Sequence, residues 1–343
     1  VRGGCSGSAG TGGADGAAAL LVGRDGVAAQ VVSHHIITEH MLDTWRSPGD
    51  PFVRSWEDRF ITEEGYQRLV PQVVGEFFQR EGQTPKEFHK LCLFASDGRR
   101  HQEMVRRLGF RPEQVVDPLA TTVGTAGAAQ ALLLLVGALE GAKAGERVLL
   151  VGYGDGADAY ALQVTERVDA ARAGRRGVKR LVEAKRLLPN YETYTRWREV
   201  WTSEAGVRRP PPQMPSVVAL WRERDQNLRL YGARCNRCGY TQYPPQRVCT
   251  KCQALDDFTL VRMAERPATI FTYAMDYLAG TIDVPLVIAV INFEGGGRML
   301  TMVTDRELEE IQVGLPVEMT FRRLRTVGGV HNYYWKSTPQ RVK

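Results

Sequence analysis

Four cysteines constrain this chain more than any other feature. Cys235 and Cys238, then Cys249 and Cys252, sit in the run C-N-R-C-G-Y-T-Q-Y-P-P-Q-R-V-C-T-K-C, two C-x2-C knuckles separated by ten residues. Such a pair sets four thiolates at the corners of a tetrahedron, the arrangement Zn²⁺ takes with soft sulfur ligands. Gly239 follows the first knuckle, where a tight turn commonly requires a left-handed residue. The alternative, two disulfides, belongs to secreted proteins. No secretory-signal pattern is read here, and only Cys5 and Cys92 complete the set of six cysteines. Four protein ligands leave no coordination position for an activated water, so the expected zinc is structural.

A length of 343 residues predicts two or three domains, each large enough to bury a core. The apolar fraction of 43% and charged fraction of 24% are those of an ordinary soluble protein. No apolar run approaches the roughly 20 residues of a membrane-spanning helix. The longest, around residues 128–138, is interrupted by Gln130 and Gly137. Basic residues, which give a net charge of +6, are spread thinly, the densest groups lying at 172–186 and 322–325. A cytoplasmic protein with no membrane partner is expected.

Composition also divides the chain. Residues 1–13 are rich in glycine, serine and alanine and read as a flexible segment. They lead into an apolar strand-like run at 17–22 and another at 26–32. The opening at Val1 suggests that further sequence belongs upstream. Residues 208–216 contain four prolines in R-R-P-P-P-Q-M-P-S, which favours an extended linker. Between these segments, 14–207, the pattern is α/β. Short β-rich runs at 91–95 and 147–153 alternate with helical stretches at 62–79 and 100–108. Residues 126–143 predict a helix apolar all round, hence buried on every side, within a layered α/β/α/β/α core.

The motifs F-A-S-D-G-R-R-H (94–101), L-G-F (108–110), V-G-T-A-G-A-A-Q (123–130) and E-R-V-L-L-V-G-Y-G-D-G-A (146–157) occur in that order. With A-D-G-A-A-A-L-L-V-G (14–23) and D-T-W-R (43–46), they resemble the second half of the thiolase superfamily, in its 3-hydroxy-3-methylglutaryl-CoA synthase branch. The resemblance covers residues 14–169, and L-P-N-Y-E-T-Y-T-R-W-R (188–198) resembles a tail seen in relatives of that branch. It implies an acyl-CoA thioester substrate and a unit lacking most of its first half, where the acyl-accepting cysteine of the superfamily lies.

Carried over by motif, the catalytic pattern changes. The branch's histidine follows the phenylalanine of an F-H-Q-P-like run, whereas Phe94 is followed by Ala95, and the asparagine of a G-N-T-like run falls at Thr125. Cys5 lies in a linker-like stretch without a neighbour that would lower its thiol pKa. His34, His35, His40 and His89 read as surface or core residues, and His101 reaches a pocket only if its loop shifts. No catalytic residue is assigned. A substrate-binding role falls to Gly124 and Thr125, whose backbone N–H groups at a helix start could hold a thioester oxygen or phosphate, and to Gly152 and Gly154. An equally weighted alternative is that these glycines only close tight turns. Gly98-Arg99-Arg100 offers arginines for the phosphates of coenzyme A, or a solvated turn.

Beyond the linker, residues 217–260 read as a short helix at 220–227 followed by the four-cysteine ribbon, which ends at 258–261. Strands at 268–275, 286–293, 298–303, 317–323 and 332–338, with glycine turns between, suit an all-β barrel of the OB type over 261–343. With Y-P-P (243–245) and I-Q-V-G-L-P-V-E (311–318), residues 217–339 resemble the acyl-CoA-associated family that joins a rubredoxin-like zinc ribbon to an OB-fold. That family accompanies thiolase-like subunits. OB barrels also bind single-stranded nucleic acid through exposed aromatics interleaved with basic residues. Here Phe271, Tyr273, Tyr277, Tyr333, Tyr334 and Trp335 stand beside Asp276, Asp283 and Glu294 as often as beside arginine, so nucleic acid is the least favoured reading. The leading expectation is an acyl-CoA-processing protein of a thiolase-like complex, an acyltransferase forming or cleaving carbon–carbon bonds. The alternative is a non-catalytic scaffold assisting a partner thiolase. Either way a homodimer or hetero-oligomer with a thiolase-like subunit is expected.

Overall fold

A computed structural model describes residues 13–45, 47–48, 53–95, 97–173, 175, 177–197, 214–279, 281 and 283–341. Cys5, residues 1–12 of the glycine-rich segment and residues 208–213 of the proline-rich linker lie outside the described residues. The chain forms two compact units, Val1–Glu183 and Ala184–Lys343.

The first unit is built on four strands, β1 (Ala29–Thr38), β4 (Lys90–Cys92), β5 (Arg147–Gly154) and β6 (Gly156–Val164). A separate two-stranded ribbon pairs β2 (Thr44–Trp45) with β3 (Arg54–Ser55). The main sheet runs β1-β6-β5-β4, antiparallel except for the parallel β4–β5 pair. Strand β5 is apolar without a break from Val148 to Val151 because both its faces are covered. Leu149 and Val151 join a core with Leu69, Val73, Val74 and Phe77 of the helix Gln67–Glu81 and Met104 of the helix Gly98–Arg107. Val148 and Leu150 face the opposite way, onto Leu134, Leu135 and Ala138 of the helix Gln130–Gly141. One sheet between two helix layers results, the α/β/α portion of the expected layering.

Local rules set the ends. Asp97 caps the helix Gly98–Arg107 by accepting the Arg100 N–H at 2.8 Å, and Gly82 ends the helix Gln67–Glu81 in the left-handed region. Three expectations change. Residues 17–22 form no strand: they pair with nothing among the described strands, and Leu21 and Val22 stand almost fully exposed. The apolar helix starts later than residue 126, with a 3₁₀ turn at Gly127–Ala129 before Gln130–Gly141. It is not buried all round: Leu134, Leu135 and Ala138 are enclosed, while Ala131, Leu133 and Leu139 are only partly covered. A single sheet covers only one side of it.

In the second unit, helices Val217–Arg222 and Arg224–Asn227 precede a three-stranded sheet of β7 (Tyr231–Cys235), β8 (Thr241–Gln242) and β9 (Phe258–Arg262), in the order β8-β7-β9. Strands β10 (Ala268–Asp276), β11 (Leu286–Phe293), β12 (Arg298–Val303), β13 (Pro316–Val327) and β14 (Val330–Pro339) close into a barrel ordered β10-β11-β12-β14-β13. Closure is made where Ala268 pairs with Val317 and Val303 with Ser337. Alternate residues fill the interior: Val287, Ala289, Ile291 and Phe293 of β11, and Val317 and Met319 of β13. Leu230, Tyr243 and Met263 of the ribbon pack into that same core. At Gly296, φ is +110°, and a Cβ would lie 2.5 Å from the Thr241 carbonyl oxygen, so only glycine fits the turn against the ribbon. Of the barrel aromatics, Tyr334 and Trp335 pack on the core, whereas Phe271, Tyr273, Tyr277 and Tyr333 are exposed. No helix among the described residues is long and apolar enough to cross a membrane.

Candidate functional site

Strand β5 and strand β6 are joined at Asp155, and this hairpin forms one wall of a cavity of about 350 Å³. Gly127, Ala128, Gln130 and Ala131, from the start of the apolar helix, form a second wall; Leu93 and Phe94 after β4, and Ile36–Thr38 of β1, complete it. Gln130 is buried and fixes this corner: its side-chain carbonyl accepts the Ala126 N–H at 2.8 Å, and its amide donates to the Pro118 carbonyl at 2.8 Å. Glycine is required twice in the hairpin. Gly156 has φ of +116°, and a Cβ there would overlap the Ile37 carbonyl oxygen; at Gly152 a Cβ would overlap the Asp158 carboxylate. Around Gly154 the space is open.

Of the glycine-loop residues singled out in the sequence, Gly152 and Gly154 line the cavity, while Gly124 and Thr125 do not. Both take part in local backbone hydrogen bonds. The Gly124 N–H donates to the Leu119 carbonyl at 3.0 Å, and the Thr125 carbonyl accepts the Ala14 N–H at 2.9 Å. Because the helix begins later than expected, the first-turn N–H groups on the wall belong to Gly127 and Ala128, for which no acceptor exists inside the helix.

The sequence reading missed Asp158 and Tyr153. Asp158 pairs directly with Gly152 across the hairpin, and burial raises its carboxyl above the ordinary range. The available signal was symmetry, since Gly152 and Asp158 lie equally far from the turn at Asp155. Tyr153 packs edge-on to Tyr66 at 5.6 Å; burial raises the pKa of both phenols, with Asp43 adding to the rise at Tyr153, and the buried Tyr66 hydroxyl has no hydrogen-bond partner among the described residues.

The candidate acid–base and nucleophilic groups lie elsewhere. His101 is buried on the helix Gly98–Arg107 with Nε2 3.0 Å from the Leu93 carbonyl, and burial lowers its pKa. Cys92 is buried, its thiol pushed up to about 12. Arg100 is committed to a paired contact with Asp58, at 2.5 and 3.2 Å. His34 stacks on Tyr160, His35 meets Glu76 at 2.8 Å, and His89 accepts the Arg147 N–H.

In the ribbon, the sulfurs of Cys235, Cys238, Cys249 and Cys252 lie within 4.8 Å of one another, and none forms a disulfide. Cys235 Sγ and Cys252 Sγ are 3.6 Å apart, as are Cys238 Sγ and Cys249 Sγ. A tetrahedron of sulfurs about 2.3 Å from a central zinc has edges of about 3.8 Å, whereas a disulfide needs about 2.05 Å, so the donor set fits the metal. The two knuckles repeat one turn. Gly239 and Gln253, each directly after its second cysteine, adopt left-handed φ of +72° and +59°, and each donates to the carbonyl of its first cysteine at 2.9 Å. Backbone N–H groups of Cys252 and Lys251 lower the Cys249 thiol, whereas burial and the three neighbouring sulfurs raise that of Cys252.

Three family descriptions match the chain. ChsH2 rubredoxin-like zinc ribbon covers residues 222–257, ChsH2 C-terminal OB-fold covers 261–322, and the C-terminal region of 3-oxoacyl-[acyl-carrier-protein] synthase III covers 78–165. A DUF35 domain-containing scaffold protein of Methanocaldococcus jannaschii is 31% identical over 36% of this chain and 90% of its own length. The hydroxymethylglutaryl-CoA synthase of Methanopyrus kandleri is 31% identical over 46% of each protein, so the chain spans about half the length of such relatives. A solved Ltp2-ChsH2(DUF35) aldolase chain, 22% identical, aligns with 38% of this chain and 98% of its own at a TM-score of 0.29. The chain belongs to the DUF35 family through its ChsH2-type zinc ribbon and OB-fold, and its first unit is similar to the C-terminal region of 3-oxoacyl-[acyl-carrier-protein] synthase III and to part of the hydroxymethylglutaryl-CoA synthases.

Proposed function

We propose that this chain is a scaffold of a thiolase-like assembly that holds an acyl-CoA thioester, while a partner thiolase or a second copy completes the chemistry. One observation carries the reading. The cavity is lined by Gly127 and Ala128 of the first helical turn and by Gly154, around which the space is open, yet no thiol or imidazole among the described residues lines it. Cys92 and His101 are sealed in the core, and Ala95 replaces the histidine that the resemblance would place after Phe94. Helix-start N–H groups favour carbonyl and anionic oxygens without any proton transfer, so binding persists where turnover does not. In this reading Gly152 and Gly154 form the thioester wall, Gly124 and Thr125 support it from the preceding loop, and coenzyme A enters as part of the substrate. The four cysteines hold a structural Zn²⁺ that fixes the ribbon against the barrel, in a protein that works in the cytoplasm. The name of the M. jannaschii relative, a scaffold protein, supports the assembly role.

Co-purification followed by calorimetry and a turnover assay tests this. Acyl-CoA is expected to bind the intact assembly, with no carbon–carbon bond formation or cleavage by the chain alone. Turnover by the chain alone would establish the other reading, an acyltransferase in its own right, which the synthase III match over residues 78–165 favours.

A further inference from the structure

The cavity has a definite electrostatic character. Seventeen of the described residues line it, and these include two carboxylates, Asp155 and Asp158, but no lysine, arginine or histidine. Asp158 is the inner one. It stands opposite Gly152 and Ile36 in the sheet, and its carboxylate occupies the space that a side chain at position 152 would fill. No hydrogen bond or ion pair joins that carboxylate to another described residue, whereas Glu39, Asp58 and Asp283 each have an arginine. Gln130, the one other strongly polar side chain on the wall, spends its carbonyl and amide on Ala126 and Pro118. The Asp158 carboxylate is therefore an acceptor facing the cavity without a donor from the protein.

We infer that Asp158 selects among acyl thioesters by charge: the cavity takes acyl groups whose far end is neutral and carries a hydroxyl or N–H donor, and rejects those ending in a carboxylate. The inference rests on the proposed thioester-holding role. A donor-bearing acyl chain supplies the partner that Asp158 lacks, and a hydrogen bond to an ionised acceptor is among the stronger ones available. A carboxylate-ended chain brings a like charge beside Asp158, and no cation among the described lining residues offsets it. Removal of the carboxylate costs the fold little, since Asp158 holds no other residue in place.

Three pantetheine thioesters of matched length provide the probe and carry no nucleotide phosphates: 4-hydroxybutyryl, butyryl and succinyl. Calorimetry on the full chain in its assembly is expected to rank them in that order, with succinyl weaker than hydroxybutyryl by about tenfold or more, the factor of one charged hydrogen bond. In Asp158→Asn the gap should shrink to about threefold or less, whereas Asp155→Asn, at the rim, should leave most of it. Equal binding of succinyl and hydroxybutyryl to the wild type would overturn the inference, whether or not the variant folds. So would an unchanged gap in a folded Asp158→Asn. If none of the three binds, the thioester-holding role itself fails and the selectivity falls with it.

Discussion

Replacement of Cys235 by serine is expected to unfold the ribbon while the barrel strands persist. The magnitude follows from how little else holds the knuckles. The buried residues of the ribbon's own cluster are Cys235, Cys249 and Ala254, with Cys238, Cys252 and Phe258 packed against them, so the ligands themselves are most of its core. Structural zinc contributes about 10–16 kcal/mol of apparent binding free energy in ribbon-sized peptides, comparable to the total stability of about 5–15 kcal/mol of a whole domain. Loss of one of four thiolates from a site whose sulfurs lie within 4.8 Å leaves the remaining three unable to close it. The ribbon strand β7 pairs with β8 and β9, and Leu230, Tyr243 and Met263 enter the barrel core, so the barrel should soften at that end without unfolding. Elemental analysis should find about one zinc per wild-type chain and less than half of that in Cys235→Ser. Hydrogen exchange should lose protection across residues 235–258 and retain it in β11 and β12. Wild-type protein without zinc, or a serine variant with full zinc and native exchange in that segment, would refute the reasoning.

Gly156→Ala should destabilise the first unit by about 1–3 kcal/mol, because a left-handed residue is strained and its Cβ meets the Ile37 carbonyl; a denaturant midpoint no lower than wild type would contradict this. Burial lowers the pKa of His101, so the unfolded chain binds its proton more readily. Stability should therefore be held above the unfolded value of about 6.5 and fall as pH drops below it. His101→Gln should flatten that dependence, as read from denaturant midpoints at pH 7 and pH 5. The chain should not be monomeric: Val31, Val32 and Ile36 on β1, with Leu20, Leu21 and Val22, leave apolar surface that favours association. Light scattering at micromolar concentration checks this, and a monodisperse monomer would contradict it.

What the sequence disclosed depended on how local the determining contacts were. The zinc site was legible because all four ligands and both left-handed positions fall within one short run, and Gly239 stands where the first turn needs it. The barrel strands β11 and β12 were legible to the residue, since each alternates between an interior and an exterior face and ends at a glycine turn or a loop. Strand β5 was equally plain as an unbroken apolar run. Residues 17–22 failed because an apolar run becomes a strand only where a neighbour supplies the ladder, and sequence alone does not say where an edge is open. The helix start failed for a related reason. Gly124 and Gly127 are both left-handed, and either could have opened the helix; what decides between them is Gln130, whose side chain caps Ala126 and ties Pro118 from inside the first turn. A glutamine inside an apolar run read as an interruption, yet it is the residue that aims the helix at the cavity. Asp158 stayed hidden because its role needs two strands at once: Gly152 makes room, and hairpin register brings the carboxylate into that room. The glycine was visible as a place of close approach, but what approaches it is a side chain of the protein itself. Gly152 on the cavity wall and the Asp158 carboxylate are therefore two halves of one pair.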